Sequence, residues 1–309
     1  MGYKINKMNN FYEEHKRKVM TITQFQVFVK IAETGSFTKA GLELNMTQPA
    51  VSHAISSLEA DLGIHLMIRD RKNGITLTHI GKRVLIQMRE ILQRVENIEQ
   101  EIAAEKGLEV GTVRIGAFPT AAAHFLPKIM STFKQKYPNL QLVLHEGTIA
   151  EVKEWLSTRF IDVGLVIFPD ADLEIVPLFR DKMVAVLPEN HVLGGRSSLT
   201  MSDLSGEPMI LCRGGYEAPI IDLFQKSGAD LRLAFAASNV ATVLNMIREG
   251  LGLAILSRLS LSALPPGLVT LDLEPRVCRD ISVAVPSLKE ASLAVHLFIQ
   301  TARELFPRE

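Results

Sequence analysis

Apolar positions in the first third of the chain recur at helical spacing, in segments separated by turn signals. From Ile22 to Glu33, Phe25, Phe28, Val29 and Ala32 lie three, one and three apart and predict a helix with one buried face. Ser36 is an N-cap residue type, and the short helix it opens has Ala40 and Leu44 four apart. Asn45-Met46 breaks the pattern. Thr47-Gln48-Pro49 restarts it with a capping residue and a proline in the first turn, where the missing N–H costs nothing. Val51, Ile55, Leu58 and Leu62, spaced four, three and four, then form one buried stripe. Two short helices joined by a tight turn predict a helix-turn-helix.

The pattern changes period after Leu66. Asn73-Gly74, between an Arg-rich run and the alternation Ile75/Leu77, predicts a hairpin with a primed turn. Thr78 can cap a long helix to about Lys106, with Ile80, Val84, Met88, Ile91, Val95, Ile98 and Ile102 at intervals of 4, 4, 3, 4, 3 and 4. That is a coiled-coil seam, widened by Leu85 and Leu92. Beyond Gly107 strands and helices alternate. The expected strands are Val113–Ala117, Leu140–Glu146, Asp162–Phe168, Met183–Leu187, Met209–Leu211 and Leu253–Leu256. The expected helices are Ala121–Lys136, Ile149–Thr158, Pro219–Ser227, Val240–Glu249 and Ala291–Leu305. This alternation predicts α/β layers around mostly parallel sheets.

The polar side of the helix opened by Thr47 carries Gln48, Ser52, His53 and Ser56, short or planar groups that donate or accept at base edges. A helix seated in the major groove reads bases mainly through its N-terminal residues, which makes double-stranded DNA the expected partner. Ser36, Thr38, Thr47 and Pro49 complete that face, and Arg69, Arg71, Lys72, Thr76 and Thr78 on the hairpin are candidates to hold phosphates. A long helix of about 27 residues would span roughly 40 Å. It would therefore pair with a second copy and present two such faces to two half-sites.

The same residues carry a family resemblance. Phe25 and Phe28, Gly35-Ser36-Phe37, Ala40, Gln48-Pro49-Ala50-Val51-Ser52, Ile55, Leu58-Glu59, Leu62-Gly63, Leu66, Arg69, Leu77-Thr78 and Gly81 resemble, in order, the winged helix-turn-helix of LysR-type transcriptional regulators. His53 departs from the pattern, standing where many members place an Arg, and leaves the operator sequence open. Further on, Gly116, Leu126-Pro127, Phe133, Tyr137-Pro138, Glu146-Gly147, Leu156, Asp162-Val163-Gly164 and Gly250-Leu251-Gly252-Leu253-Ala254 resemble that family's effector domain, which is similar to periplasmic solute-binding proteins.

The resemblance covers about residues 21–309 and implies an organisation. Residues 1–19, polar and charged, are expected to be a disordered extension; the resemblance makes 20–78 the DNA-binding domain, 79–106 the linker and dimerisation helix, and 107–309 the effector domain. Its first lobe takes about 110–181 and 282–309 and its second about 182–281. Ligands of open α/β sheets sit beyond the carboxyl ends of strands, here at Phe118-Pro119-Thr120-Ala121, Gly147-Thr148, Phe168, Arg213-Gly214 and Ser238-Asn239. Thr120 and Thr148 match positions that in the family commonly bind an effector carboxylate, and each would combine a hydroxyl with free amides at a helix start. The expected effector is a small carboxylate, with Phe118 and Phe168 as apolar walls and Arg213 as a fork. The resemblance further implies a tetramer whose DNA bending and contact with RNA polymerase respond to the effector.

Composition narrows the alternatives. The chain has 309 residues, enough for two or three domains, and no net charge. Residues 1–20 hold five Lys/Arg against two Glu and 21–83 seven against five acids, whereas 107–309 hold 19 against 22. A mildly basic front on a slightly acidic body fits a DNA module joined to a regulatory one. Cys212 and Cys278 are the two cysteines, without metal-ligand spacing, so neither a disulfide framework nor a structural metal is expected and a reducing cytoplasm is. No apolar run reaches membrane-span length and residues 1–19 contain no signal-peptide core, so neither a membrane span nor a secretory signal is expected; Met20 is expected to match the family start because the resemblance begins at Thr21-Ile22-Thr23-Gln24-Phe25. Without GxSxG, HExxH or a phosphate-binding glycine motif, no enzyme and no cofactor is expected. The alternatives are a stand-alone solute-binding protein and, through Cys212-Arg213, a redox sensor. His124, His145 and His191 read as satisfied polar residues.

Overall fold

Each of the first three helices begins on a hydroxyl. In the computed structural model, which describes residues 20–70, 74–167, 170–213, 217–261 and 264–307, α1 (Ile22–Thr34) opens with a reciprocal capping box. There Thr21 Oγ1 accepts from Gln24 N at 3.2 Å and Thr21 N donates to Gln24 Oε1 at 2.8 Å. Ser36 caps α2 (Phe37–Glu43), accepting from Lys39 N at 3.3 Å, and Thr47 caps α3 (Gln48–Leu62), accepting from Ala50 N at 3.4 Å. Phe28, Ile31, Val51, Ile55 and Leu58 are fully buried among these helices.

The hairpin forms as the pattern requires. β1 (Met67–Asp70) pairs antiparallel with β2 (Gly74–Leu77), Met67 opposite Leu77 and Asp70 opposite Gly74. Glu59 of α3 fixes its base, accepting from Leu66 N at 2.7 Å and Met67 N at 3.2 Å through Oε1. The long helix α4 (His79–Glu105) starts hard against that base: a Cβ at Gly81 would lie 1.9 Å from the Leu66 carbonyl oxygen, which only glycine allows. Leu85 and Met88 are buried in the core of the first three helices, while Ile91, Ile98 and Ile102 stay exposed. The seam read from the sequence thus serves its own domain at one end and faces solvent at the other. The chain divides into two units within this helix, after Glu99.

The second unit is α/β with a mixed sheet. β3 (Gly111–Ala117) lies between β4 (Leu140–Glu146) and β5 (Val163–Ile167), all parallel. β12 (Cys278–Val285) and the first half of β6 (Glu174–Pro188) continue that sheet antiparallel. The second half of β6 pairs antiparallel with β10 (Ala254–Ser257) and β11 (Leu268–Leu273), and β11 holds the two-residue β7 (Ser198–Leu199). β8 (Pro208–Cys212) and β9 (Arg232–Ala237) pair in parallel, and a bridge from Met209 to Leu253 joins them to this second lobe. β6 and β12 are therefore the strands shared by two lobes. The expectation of mostly parallel sheets fails at these two strands, which run against their neighbours because each returns the chain from one lobe to the other.

Each lobe is layered. In the first, α6 (Leu126–Lys136) and α10 (Leu293–Leu305) pack Phe133 and Phe298 on one face of the sheet, and α7 (Ile149–Ser157) packs Val152 and Leu156 on the other. In the second, Met183, Ala185 and Leu187 of β6 point toward α8 (Glu217–Ser227), and Val184 and Val186 toward α9 (Val240–Arg248). Alternating side chains buried on both faces explain the unbroken apolar run there. The helix expected over 121–136 is broken: α5 (Pro119–His124) ends at Phe125 and α6 begins at Leu126. Pro127 is the cause, since it has no N–H for the preceding turn and its ring excludes a continuous helix. Asp162 anchors the first-lobe sheet edge-on, accepting from Arg114 N at 2.7 Å while its own N–H donates to Arg114 O.

Candidate DNA-reading face and ligand cavity

In the first unit, burying Val51, Ile55 and Leu58 turns the polar positions of α3 outward. Gln48, Pro49, His53 and Ser56 are exposed and Ser52 is half-buried, forming a continuous patch at the helix N-terminal end. Thr38 on α2 and Thr76 on β2 are exposed as well. Arg69 is exposed with its guanidinium carbon 4.2 Å from the centre of the Phe37 ring, a cation–π contact that ties the hairpin to α2 and fixes where that charge projects. Three hydroxyls of the candidate set have structural work. Those of Ser36 and Thr47 accept first-turn amides. That of Thr78 accepts from Gly81 N at 3.0 Å and donates toward the carbonyls of His65 and Leu66. Thr78 is thereby a splice between hairpin and α4 rather than a side chain offered outward. Arg71 and Lys72, like residues 1–19, lie outside the described residues.

In the second unit a cavity of about 560 Å³ opens between the lobes. Phe118, Pro119, Thr120 and Thr148 line it from the first lobe; Cys212, Arg213, Ser238 and Asn239 line it from the second. Ala121 and Gly147 do not. Ala121 is fully buried in the first-lobe core, and Gly147 is held against the Trp155 indole, which a Cβ would approach to 2.5 Å. Phe168 and Gly214 lie outside the described residues. The sequence reading missed Ala123, His124, Val240, Leu259 and Ser260 as lining residues. His124 was legible: it lies one helical turn after Thr120 on the same face of α5. Leu259 and Ser260 were not, because they belong to a 3₁₀ turn (Arg258–Leu261) that no apolar period announces.

The hydrogen bonds at the cavity rim differ from the expectation of free helix-start amides. Thr148 N donates to Glu151 Oε2 at 2.7 Å, and the Thr148 hydroxyl donates to the same oxygen at 2.8 Å while accepting from Glu151 N at 3.2 Å. Those bonds hold the exposed Glu151 carboxyl below its usual range. An internal carboxylate thus sits where an external one was expected. Asn239 Oδ1 likewise accepts from Ala241 N and Thr242 N, at 2.8 and 3.4 Å. At α5, by contrast, Phe118 has no side-chain oxygen to give its first turn. Arg213 is exposed at the cavity from the opposite lobe.

Cys212 is buried in the cavity wall, and its thiol is pushed up to about 11, first by burial and then by the negative charge of Glu217. Such a thiol stays protonated at neutral pH, which argues against the redox-sensing alternative. Among the described residues no group of His, Cys, Asp and Glu is placed to hold a metal ion.

Comparison with known proteins adds to this geometry. Residues 22–82 match the family described as bacterial regulatory helix-turn-helix protein, lysR family, and residues 106–307 match the LysR substrate binding domain. The uncharacterized HTH-type transcriptional regulator YvbU of Bacillus subtilis is 60% identical over 292 residues, covering 94% of this chain and 100% of that protein. Among solved structures, a full-length OxyR variant from Pseudomonas aeruginosa superposes with a TM-score of 0.76 at 21% identity, over 92% of this chain and 95% of that one. Full-length CbnR, solved in complex with its target DNA, superposes with a TM-score of 0.60 at 24% identity, over 92% and 99%.

Proposed function

The chain belongs to the LysR family of DNA-binding transcriptional regulators, whose members carry a substrate-binding effector domain, and on that premise we propose how its own residues divide the work. Gln48, Ser52, His53 and Ser56 read base edges in the major groove, with Pro49 and Thr38 beside them, and Arg69 and Thr76 hold phosphates, joined by Arg71 and Lys72. The observation that carries this is the exposed polar patch at the start of α3, backed by a fully buried apolar stripe.

The interlobe cavity takes a small molecule bearing a carboxylate. Thr120 and Arg213 face it from opposite lobes and Phe118 supplies an apolar wall. Dimerisation proceeds through residues 79–106, where Ile91, Ile98 and Ile102 leave an apolar stripe exposed. Two sheet-edge strands support pairing of effector lobes into a tetramer, since β4 exposes Val143 and Leu144 and β9 exposes Leu233 and Phe235. The assembly works in the cytoplasm, and ligand in the cavity changes lobe orientation, the bend of the bound DNA and contact with RNA polymerase.

A gel shift on the promoter beside the protein's own gene tests the first part, with a shuffled duplex as control. Equal affinity for both would sink it. A thermal-shift screen of metabolites tests the second: stabilisation by carboxylates is expected, and stabilisation by neutral or cationic compounds alone would overturn the ligand class.

A further inference from the structure

β6 and β12 carry the chain between the lobes, and on them Asp181 stands directly opposite Arg279 in the antiparallel register. Both side chains are buried, 1% and 6% exposed, and Arg279 Nε donates to Asp181 Oδ2 at 2.8 Å. The second lobe adds two donors: the Ser257 hydroxyl to Oδ2, and Leu259 N to Oδ1 at 3.3 Å. Ser257 ends β10, and the turn after it supplies Leu259 and Ser260 to the cavity wall. Leu259 also packs against the first-lobe core. On the other side, the guanidinium carbon of Arg279 lies 5.8 Å from the ring centre of Phe118, a first-lobe wall of the same cavity.

One ion pair thus touches both walls of the cavity and both crossover strands. An apolar contact at this place would tolerate sliding. A buried charge pair does not, because in a low-dielectric interior its energy falls steeply once donor and acceptor separate. We infer that Asp181 and Arg279 are positioning residues that lock the spacing between the two cavity walls to the register of the crossover strands. Occupancy of the cavity is thereby transmitted to lobe orientation through this pair. The inference rests on the effector reading only for the purpose of the coupling; the mechanical part stands on the crossover geometry and is tested without a ligand.

Spin labels on Ser157→Cys in the first lobe and Gln225→Cys in the second report the interlobe distance by pulsed electron resonance. The test uses the full chain with the exposed Cys278→Ser, labelled chains being diluted in unlabelled ones. The parent protein is expected to give one narrow distribution. Asp181→Asn alone leaves a buried guanidinium uncompensated and lowers the melting temperature. The double variant Asp181→Asn/Arg279→Met removes both charges and recovers stability, yet its distribution is expected to widen roughly twofold as the lobes sample more settings. Ser257→Ala, which deletes one donor to Asp181 and keeps the pair, is expected to widen it by less. A distribution that stays narrow in the double variant, whatever its melting temperature, or in Ser257→Ala if the double variant does not fold, marks a merely structural pair and overturns the inference.

Discussion

α3 and α7 both open on a threonine, yet the two threonines differ in what they can still offer to a partner. Thr47 is followed three positions later by Ala50, so its hydroxyl accepts one amide and keeps its own proton to donate. Thr148 is followed at the same distance by Glu151, and the carboxylate consumes both its hydroxyl proton and its amide. The residue three positions after the cap, Ala50 or Glu151, separates a helix start open to an external anion from one closed by an internal anion. A phosphate backbone can approach α3; at α7 it would meet a negative charge already in place.

The largest expected effect breaks the open side of this comparison. Replacing Gln48, Ser52 and His53 together by Ala removes the base-reading groups while leaving the buried stripe untouched. With about 1–3 kcal/mol of discrimination per good base contact, operator affinity should fall by at least two orders of magnitude in a gel shift, and affinity for shuffled DNA should hardly change. Unchanged operator affinity would remove the central claim about α3.

Next comes a transfer of the closed cap onto the open helix. Ala50→Glu recreates at α3 the Thr-x-x-Glu box of α7, a change that supports the helix and places a carboxylate beside the DNA backbone. The melting temperature should hold or rise while affinity drops on the order of tenfold for any duplex. Loss of stability together with affinity would mean the lesson drawn from α7 does not transfer.

Arg69→Ala should cost about tenfold, uniformly across sequences, and lower the salt dependence of binding by about one phosphate contact. An effect confined to the operator would assign Arg69 to base reading instead. At the cavity, Thr148→Ala should cost roughly 1 kcal/mol of stability as a lost N-cap and leave the affinity of any carboxylate found by the screen nearly unchanged. Thr120→Val should instead weaken that ligand about tenfold. Calorimetry on the two variants decides whether the closed cap excludes Thr148 from ligand binding.

Much of this was legible in the sequence because short-range physics wrote it. The period of Val51, Ile55 and Leu58, the caps at Ser36 and Thr47, and the helix start at Thr78 each depend on neighbours within one turn. What escaped the reading depends on distant partners. The crossing halves of β6 and β12 pair antiparallel across a gap of about a hundred residues, and nothing in the local pattern of Glu174–Asp181 announces it. The break at Phe125 was locally visible in Pro127 but outweighed by the apolar spacing around it. At the cavity, strand ends located Phe118, Thr120, Arg213 and Asn239, whereas Leu259 and Ser260 arrive on a turn placed only by the folded second lobe. The box at Thr148 was written in the sequence as Thr-Ile-Ala-Glu, and weighing it would have shown that the helix start supplies its own anion.

The smallest expected effect concerns Cys212, and it sharpens the same contrast between groups that are present and groups that are available. Its sulfur lies in the cavity wall, but burial and the nearby Glu217 push the thiol up to about 11. At pH 7.5 the thiolate fraction is then on the order of one in several thousand. Cys278 is exposed and comparable to a free thiol in access. An aromatic disulfide reagent at neutral pH should therefore label one thiol per chain quickly, at Cys278, and Cys212 should react only as the pH climbs toward 11 or the chain unfolds. Cys212→Ser should leave operator binding the same with and without peroxide. Rapid modification of Cys212 near pH 7, accompanied by a change in operator affinity, would instead make the cavity wall itself the sensor, because it would require the thiolate to be stabilised in a setting where Glu217 and the surrounding apolar wall oppose it.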